Sequence, residues 1–310
     1  MDEDQAEDLA TPANPVYAVE VQPPSTGDVP PTVERFLRGI LEVQTGFLGV
    51  RNTSPWVAYE LFRPRTDRLR LQFCVPNARL ERKVRTHLSN EIPEIGFTSG
   101  TPQLPVKPGD SIGGAILTTG RRDRYPLATE FDPPPSNSLV AALHRHAMRD
   151  TRVVVQVLLR PVVGRSIREW WRKRDAYKTV DHLRSETSRM RDSQSATPRK
   201  RNQADAVETK IDQRRYQVCI RFAVIGAGEY TASRVKEIAG AFNVFENPVS
   251  GQYFDIDTIR GLRQKRFLEF VRAIRDRVFG GYSLRFHATV DELAGLVSIP
   301  DRDQENLENA

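Results

Sequence analysis

Apolar and polar residues alternate in Trp56-Val-Ala-Tyr-Glu-Leu-Phe62 and again in Leu69-Arg-Leu-Gln-Phe-Cys-Val75, with Pro64-Arg-Thr-Asp67 between them. This period of two predicts a β-hairpin with a single buried face. The period lengthens over residues 33–47, where Val33, Phe36, Leu37, Ile40, Leu41 and Val43 mark one stripe of a helix started by Pro30-Pro31-Thr32. Asn77 is placed to cap a second helix carrying Leu80, Val84 and Leu88. The most strand-like run is Arg152-Val-Val-Val-Gln-Val-Leu-Leu-Arg160, and Tyr216-Gln-Val-Cys-Ile-Arg-Phe-Ala-Val-Ile225 has the same character. The first half reads β-α-β-β-α-β-β-α-β and the second β-α-β-α-β.

These elements predict an α+β fold of two ferredoxin-like α/β sandwich units joined by a basic helical insert. Residues 1–15 are expected to be a disordered acidic lead, 16–164 the first unit and 216–288 the second. Residues 165–215 are expected to form a basic helical hairpin with a flexible tract over 192–203. Residues 289–310 should be a hinge helix and a polar tail. Thr289 or Asp291 caps that helix, Val290, Leu293, Ala294 and Leu296-Val297 line one side of it, and Pro300 ends it.

At 310 residues, 39% apolar and 28% charged, the chain is long enough for two modest cores. Its longest apolar runs have strand length, far below the roughly 20 residues of a spanning helix. The acidic N-terminus has no basic start and no apolar segment of the signal-peptide kind, so the expected location is cytoplasmic. Cys74 and Cys219 each sit inside a strand-like run and are expected as reduced, buried side chains. The net charge of +6 is unevenly spread. Residues 1–30 carry seven acids and no base, whereas residues 165–215 carry fifteen Lys or Arg against eight Asp or Glu.

Several segments resemble the N-terminal, non-motor region of the HerA/TraG-like family of hexameric DNA-pumping ATPases, which includes the type IV secretion ATPases. Thr289-Val-Asp-Glu-Leu-Ala-Gly-Leu-Val-Ser-Ile-Pro300 resembles the family's hinge between an α+β region and the motor. Trp56–Val75 is similar to a family hairpin, Tyr125-Pro-Leu with Asp132-Pro to a mid-sheet loop, and Val153–Pro161 to a family strand. Ala206–Phe222 and Gly240-Ala-Phe-Asn-Val-Phe245 are similar to two further segments, all in the family's order over roughly residues 33–300. The family motor uses a phosphate loop ending in Gly-Lys-Ser/Thr, and this sequence has no Gly-Lys pair. The resemblance therefore implies an adaptor or assembly domain for a motor supplied in trans, with Leu293, Leu296 and Pro300 as the docking residues. A truncated product of a split ATPase gene is the other reading within the family.

The remaining chemistry concentrates in the basic insert. Arg168, Trp170, Trp171, Arg172, Lys173, Arg174 and Lys178 interleave aromatic and cationic groups, and Arg199, Lys200 and Arg201 lie within the flexible tract. That mixture suits phosphate contact with base stacking, hence a stand-alone nucleic-acid-binding protein, and also suits an anionic membrane surface or a partner subunit. The expected partners are a separate phosphate-loop ATPase or a second copy, and DNA. No catalytic group, cofactor, metal or small-molecule substrate is expected. Val224-Ile-Gly-Ala-Gly-Glu-Tyr-Thr-Ala232 has Ala232 in place of a third fingerprint glycine and an acid, Glu229, where pyrophosphate would sit, so it is expected as a turn and an acidic helix start. His144 and His146 diverge on a predicted helix, and His87, His182 and His287 stand alone.

Overall fold

The computed structural model describes residues 1–302 except 25–29, 47–48, 50, 66–67, 144–150, 164–166, 186, 190–191, 195–196, 260–263 and 281–283. Nine strands of the described residues form one antiparallel sheet. They are β1 (Tyr17–Gln22), β2 (Val57–Arg65), β3 (Arg68–Val75), β4 (Gly96–Ser99), β5 (Ile112–Thr119), β6 (Arg152–Pro161), β7 (Arg215–Ile225), β8 (Phe254–Ile259) and β9 (Phe286–Thr289). Their order is β8-β5-β7-β6-β2-β3-β1-β4, with β9 paired to the first part of β7, at Arg215–Val218. The fold is α+β. The strands expected in two units share this single sheet, because β7 lies between β5 and β6, pairing with β6 over Tyr216–Ile225 and with β5 over Ile220–Ile225.

The helices are α1 (Glu3–Ala10), α2 (Pro30–Ile40), α3 (Ala78–Glu91), α4 (Ser136–Ala142), α5 (Ile167–Arg184), α6 (Pro198–Asp212), α7 (Thr231–Gly240), α8 (Gln264–Asp276) and α9 (Val290–Leu296). One sheet face packs the apolar sides of α2, α3, α4, α7 and α9 into the largest core cluster. The opposite face meets Leu9 of α1 and Phe270, Val271 and Ile274 of α8 through Phe62, Ile116, Val154 and Ala223. Burial of apolar area on both faces makes this a three-layer arrangement.

The second face corrects two expectations. Residues 3–10 are helical rather than a disordered lead, because Asp2 caps the helix, Ala6 and Leu9 are buried, and Asp8 pairs with Arg272 and Arg275 of α8. The hairpin of β2 and β3 is buried on both faces, not one. On the second face Gln72, Glu60, Gln156 and Arg221 stand opposite one another on the adjacent strands β3, β2, β6 and β7. All four are fully buried. Arg277 enters this row beyond the end of α8, donating to Glu60 Oε1 at 2.9 Å and to Oε2 at 3.0 Å. Gln156 and Gln72 donate to the same carboxylate at 2.6 and 2.8 Å. Arg221 donates to Gln156 Oε1 and to the carbonyl oxygens of Ala273 and Val278, closing the end of α8. Burial opposes the charge on Glu60, but Arg277 and the two glutamines outweigh it and hold its pKa below the ordinary carboxylate range. Arg277 itself has φ 51°, a left-handed backbone that a non-glycine residue adopts at some cost, and the carboxylate holds it there.

Helices α5 and α6 pack against each other. Ala176, Val180 and Leu183 of α5 face Ala204, Val207 and Ile211 of α6, giving the pair a small core of its own. Part of the tract expected to be flexible is ordered: Thr197 caps α6, and residues 198–203 are its first turns.

Candidate functional site

The hairpin is fastened at its base by ion pairs, and Tyr125 of the loop after β5 packs against its small core. Asp175 accepts from Arg122 at 3.0 Å and from Arg124 at 2.6 Å, and Glu169 accepts from Arg215 at 2.7 Å. Lys210 reaches Glu292 at 2.7 Å, and both side chains are buried. Glu292 also completes the capping box of α9, receiving the Thr289 N–H, and its other oxygen accepts from the Leu127 N–H. One carboxylate thus ties α9, α6 and the loop after β5 together.

The candidate contact residues separate into two groups. At the hairpin base Trp170 and Trp171 are 57% and 56% exposed, their rings edge to face with centroids 5.0 Å apart. The Arg174 guanidinium lies 5.5 Å from the centre of each ring. Lys178 is exposed, and Lys173 pairs with Asp212 at 3.6 Å. Arg168 falls in the first turn of α5, and its side chain lies outside the described residues. Arg199, Lys200 and Arg201 are exposed on the first turn of α6, which the antiparallel pairing puts roughly 20 Å from Trp170, at 1.5 Å rise per residue. The basic insert is therefore two patches, not one.

The structure also gathers cations from outside the insert around Arg172. Between the loop after β5, the base of α5, the end of α6 and the approach to β9 is a cleft of about 530 Å³. Arg121, Arg122, Arg124, Arg172 and Arg285 reach it from three separate stretches of chain. The run Gly120-Arg-Arg-Asp-Arg124 was the available cue. Arg121 stacks 3.6 Å from the centre of the Tyr125 ring and donates to the Ser250 carbonyl.

His287 is buried beside this cleft, with Arg172 Nη1 2.6 Å from its Nδ1 and Glu169 3.6 Å away. Burial first, then Arg172, drives its pKa from 6.5 down to about 3. The folded histidine is thus neutral where the unfolded one takes up a proton, so its contribution to stability is complete above pH 6.5 and is lost as pH falls towards 3. The expected loss is up to about 1.4 kcal/mol per pH unit within that window. Urea unfolding at a series of pH values should show this slope in the native protein and a shallower one in His287→Asn; equal slopes would show that the ring is accessible to protons in the fold.

Other expected sites resolve differently. Leu293, Leu296 and Pro300 do not form a docking surface: all three are buried, the two leucines in the main core cluster beside α2. In the turn after β7, Gly226 and Gly228 have φ 80° and 56°, and their N–H groups donate to Ser111 O and Ser111 Oγ. Those donors are engaged within the chain, as a turn requires and a phosphate cradle does not. His144 and His146 lie outside the described residues, and among the described residues no three His, Cys, Asp or Glu side chains are grouped to hold a metal ion. Among the same residues no helix is long and apolar enough to cross a membrane. Cys74 and Cys219 are buried and free. No curated protein matches the chain. A family profile described as "Domain of unknown function (DUF8128)" matches residues 1–310. The match spans the full sequence, and the chain belongs to that family.

Proposed function

We propose that this chain is a non-enzymatic nucleic-acid recognition domain that works beside a DNA-translocating ATPase of the HerA/TraG kind supplied in trans. The base of the basic hairpin is its contact surface. The observation that carries this reading is the pair of tryptophans, each more than half exposed, with Arg174 against both rings. Two large aromatic rings left in water on a cationic helix suit the stacking of unpaired bases, with phosphates held by the neighbouring arginines. The order of family-like segments supports the association with a translocation motor.

Titration of tryptophan fluorescence with a single-stranded oligonucleotide tests the reading. About four phosphate contacts imply a roughly fifty-fold loss of affinity between 50 and 200 mM salt, from a slope near −0.7 per contact. Replacing both Trp170 and Trp171 by alanine should remove a further tenfold or more, since stacking contributes about 1–3 kcal/mol per base. Absence of binding at low salt, or binding indifferent to both changes, would refute it. Docking of the motor or of a second copy is the second reading, favoured by the hollow beside Trp170 that Val43, Val162 and Ile211 help to line. That reading predicts association that tolerates salt.

A further inference from the structure

We infer that the arginine cleft beneath the hairpin is a binding site for a multiply charged phosphate group. Seven cations line it, against Asp123 and Asp175 in its wall and Glu169 and Glu292 bonded to its members. The surplus of three positive charges matches a pyrophosphate or a terminal phosphate better than a single carboxylate. The cations have different duties. Arg124, Lys210 and Arg215 are engaged at 2.6–2.7 Å by the carboxylates that fasten the hairpin, and they build the wall. Arg121 and Arg285 have no acidic partner among the described residues, and Arg172 has only acids at 3.6 and 3.9 Å. Arg122 is bonded to Asp175 but keeps a largely exposed side chain.

These four reach one cleft from positions 121–122, 172 and 285, and only the fold brings them together. Like charges converge at a mutual Coulombic cost, which an anion between them reverses. Arginine suits that ligand, because its planar fork presents paired N–H donors to phosphate oxygens. The cleft is distinct from the tryptophan face and shares with it only the base of α5.

Thermal unfolding of the full chain in millimolar sodium pyrophosphate, against sodium chloride of equal ionic strength, tests the site. Pyrophosphate should raise the midpoint, and Arg285→Gln and Arg122→Gln should each weaken its binding about tenfold, the worth of one charged hydrogen bond. Both side chains are exposed, so the variants keep the native circular dichroism. A parallel arm uses a single-stranded oligonucleotide with a 5′-phosphate or a 5′-hydroxyl. A pyrophosphate effect alone assigns the site to a free polyphosphate; an effect of the 5′-phosphate alone, reduced by the same variants, assigns it to a nucleic-acid end. No effect of either ligand, or an effect that both variants retain, overturns the site. Tryptophan quenching by the 5′-hydroxyl oligonucleotide reports on the hairpin face separately, so either reading can fail while the other stands.

Discussion

Glu60→Ala should cost about 3–5 kcal/mol of folding stability, among the largest effects of any single substitution in this chain. The carboxylate receives five donors, from Arg277 twice, from Gln72, from Gln156 and from the Cys74 thiol. Its removal leaves the Arg277 guanidinium charged, buried and without its counterion, with the carbonyl oxygens of Pro102 and Arg275 still accepting from it. The penalty is that of the abandoned charge, so Arg277→Ala should cost a similar amount from the other side. Glu60→Gln keeps the shape and loses the charge, and should fall between native and alanine. Urea unfolding with a common m-value measures all three. A loss below about 1 kcal/mol for Glu60→Ala would mean that water reaches the pair, and would place it with exposed ion pairs.

Leu293→Ala should destabilise by about 2–5 kcal/mol, the range for a large-to-small change in a packed core. A domain of this size then melts about 2–4 °C lower for each kcal/mol lost. Leu293 is completely buried and belongs to the cluster that joins α9 to α2 and the sheet. The α9 segment is further held by the Tyr59 hydroxyl, which donates to Ser298 O at 2.8 Å, and by Phe131 against Gly295. A docking residue for an external motor would behave differently: its alanine variant would keep the native melting temperature and lose only association. An unchanged melting temperature in Leu293→Ala would therefore restore the docking role that burial removes.

Local elements were largely legible from pattern. The alternation over residues 56–75, the apolar run at 153–159 and the Thr289 cap each describe a structure that depends on near neighbours. The shared sheet was not, since β7 pairs with β5 and β6 across separations that no local window contains. The second buried face escaped for a more specific reason. Glu60 and Gln72 occupy the polar positions of alternating strands while Gln156 and Arg221 interrupt apolar runs, and either pattern reports polarity rather than burial. Each alone reads as a solvated side chain; only their mutual hydrogen bonds reveal a covered face. The candidate surface was half legible. The exposed tryptophans lie in one helix and were visible there, whereas the arginine cleft depends on residues 121, 172 and 285 meeting in space.

The row of polar side chains across β3, β2, β6 and β7 also acts as a vernier for the sheet. Two positions away on the same face stand Cys74 on β3, Ala58 and Phe62 on β2, Val154 and Leu158 on β6, and Cys219 and Ala223 on β7, so apolar contacts alone would tolerate a strand displaced by two residues. Such a slip keeps the same face inward but carries one member of the row out of line, stranding a carboxylate, an amide or a guanidinium among aliphatic side chains. Only one alignment of the four central strands lets every member find its partner. The network that looks like a weakness in the core is what makes the wrong sheets untenable.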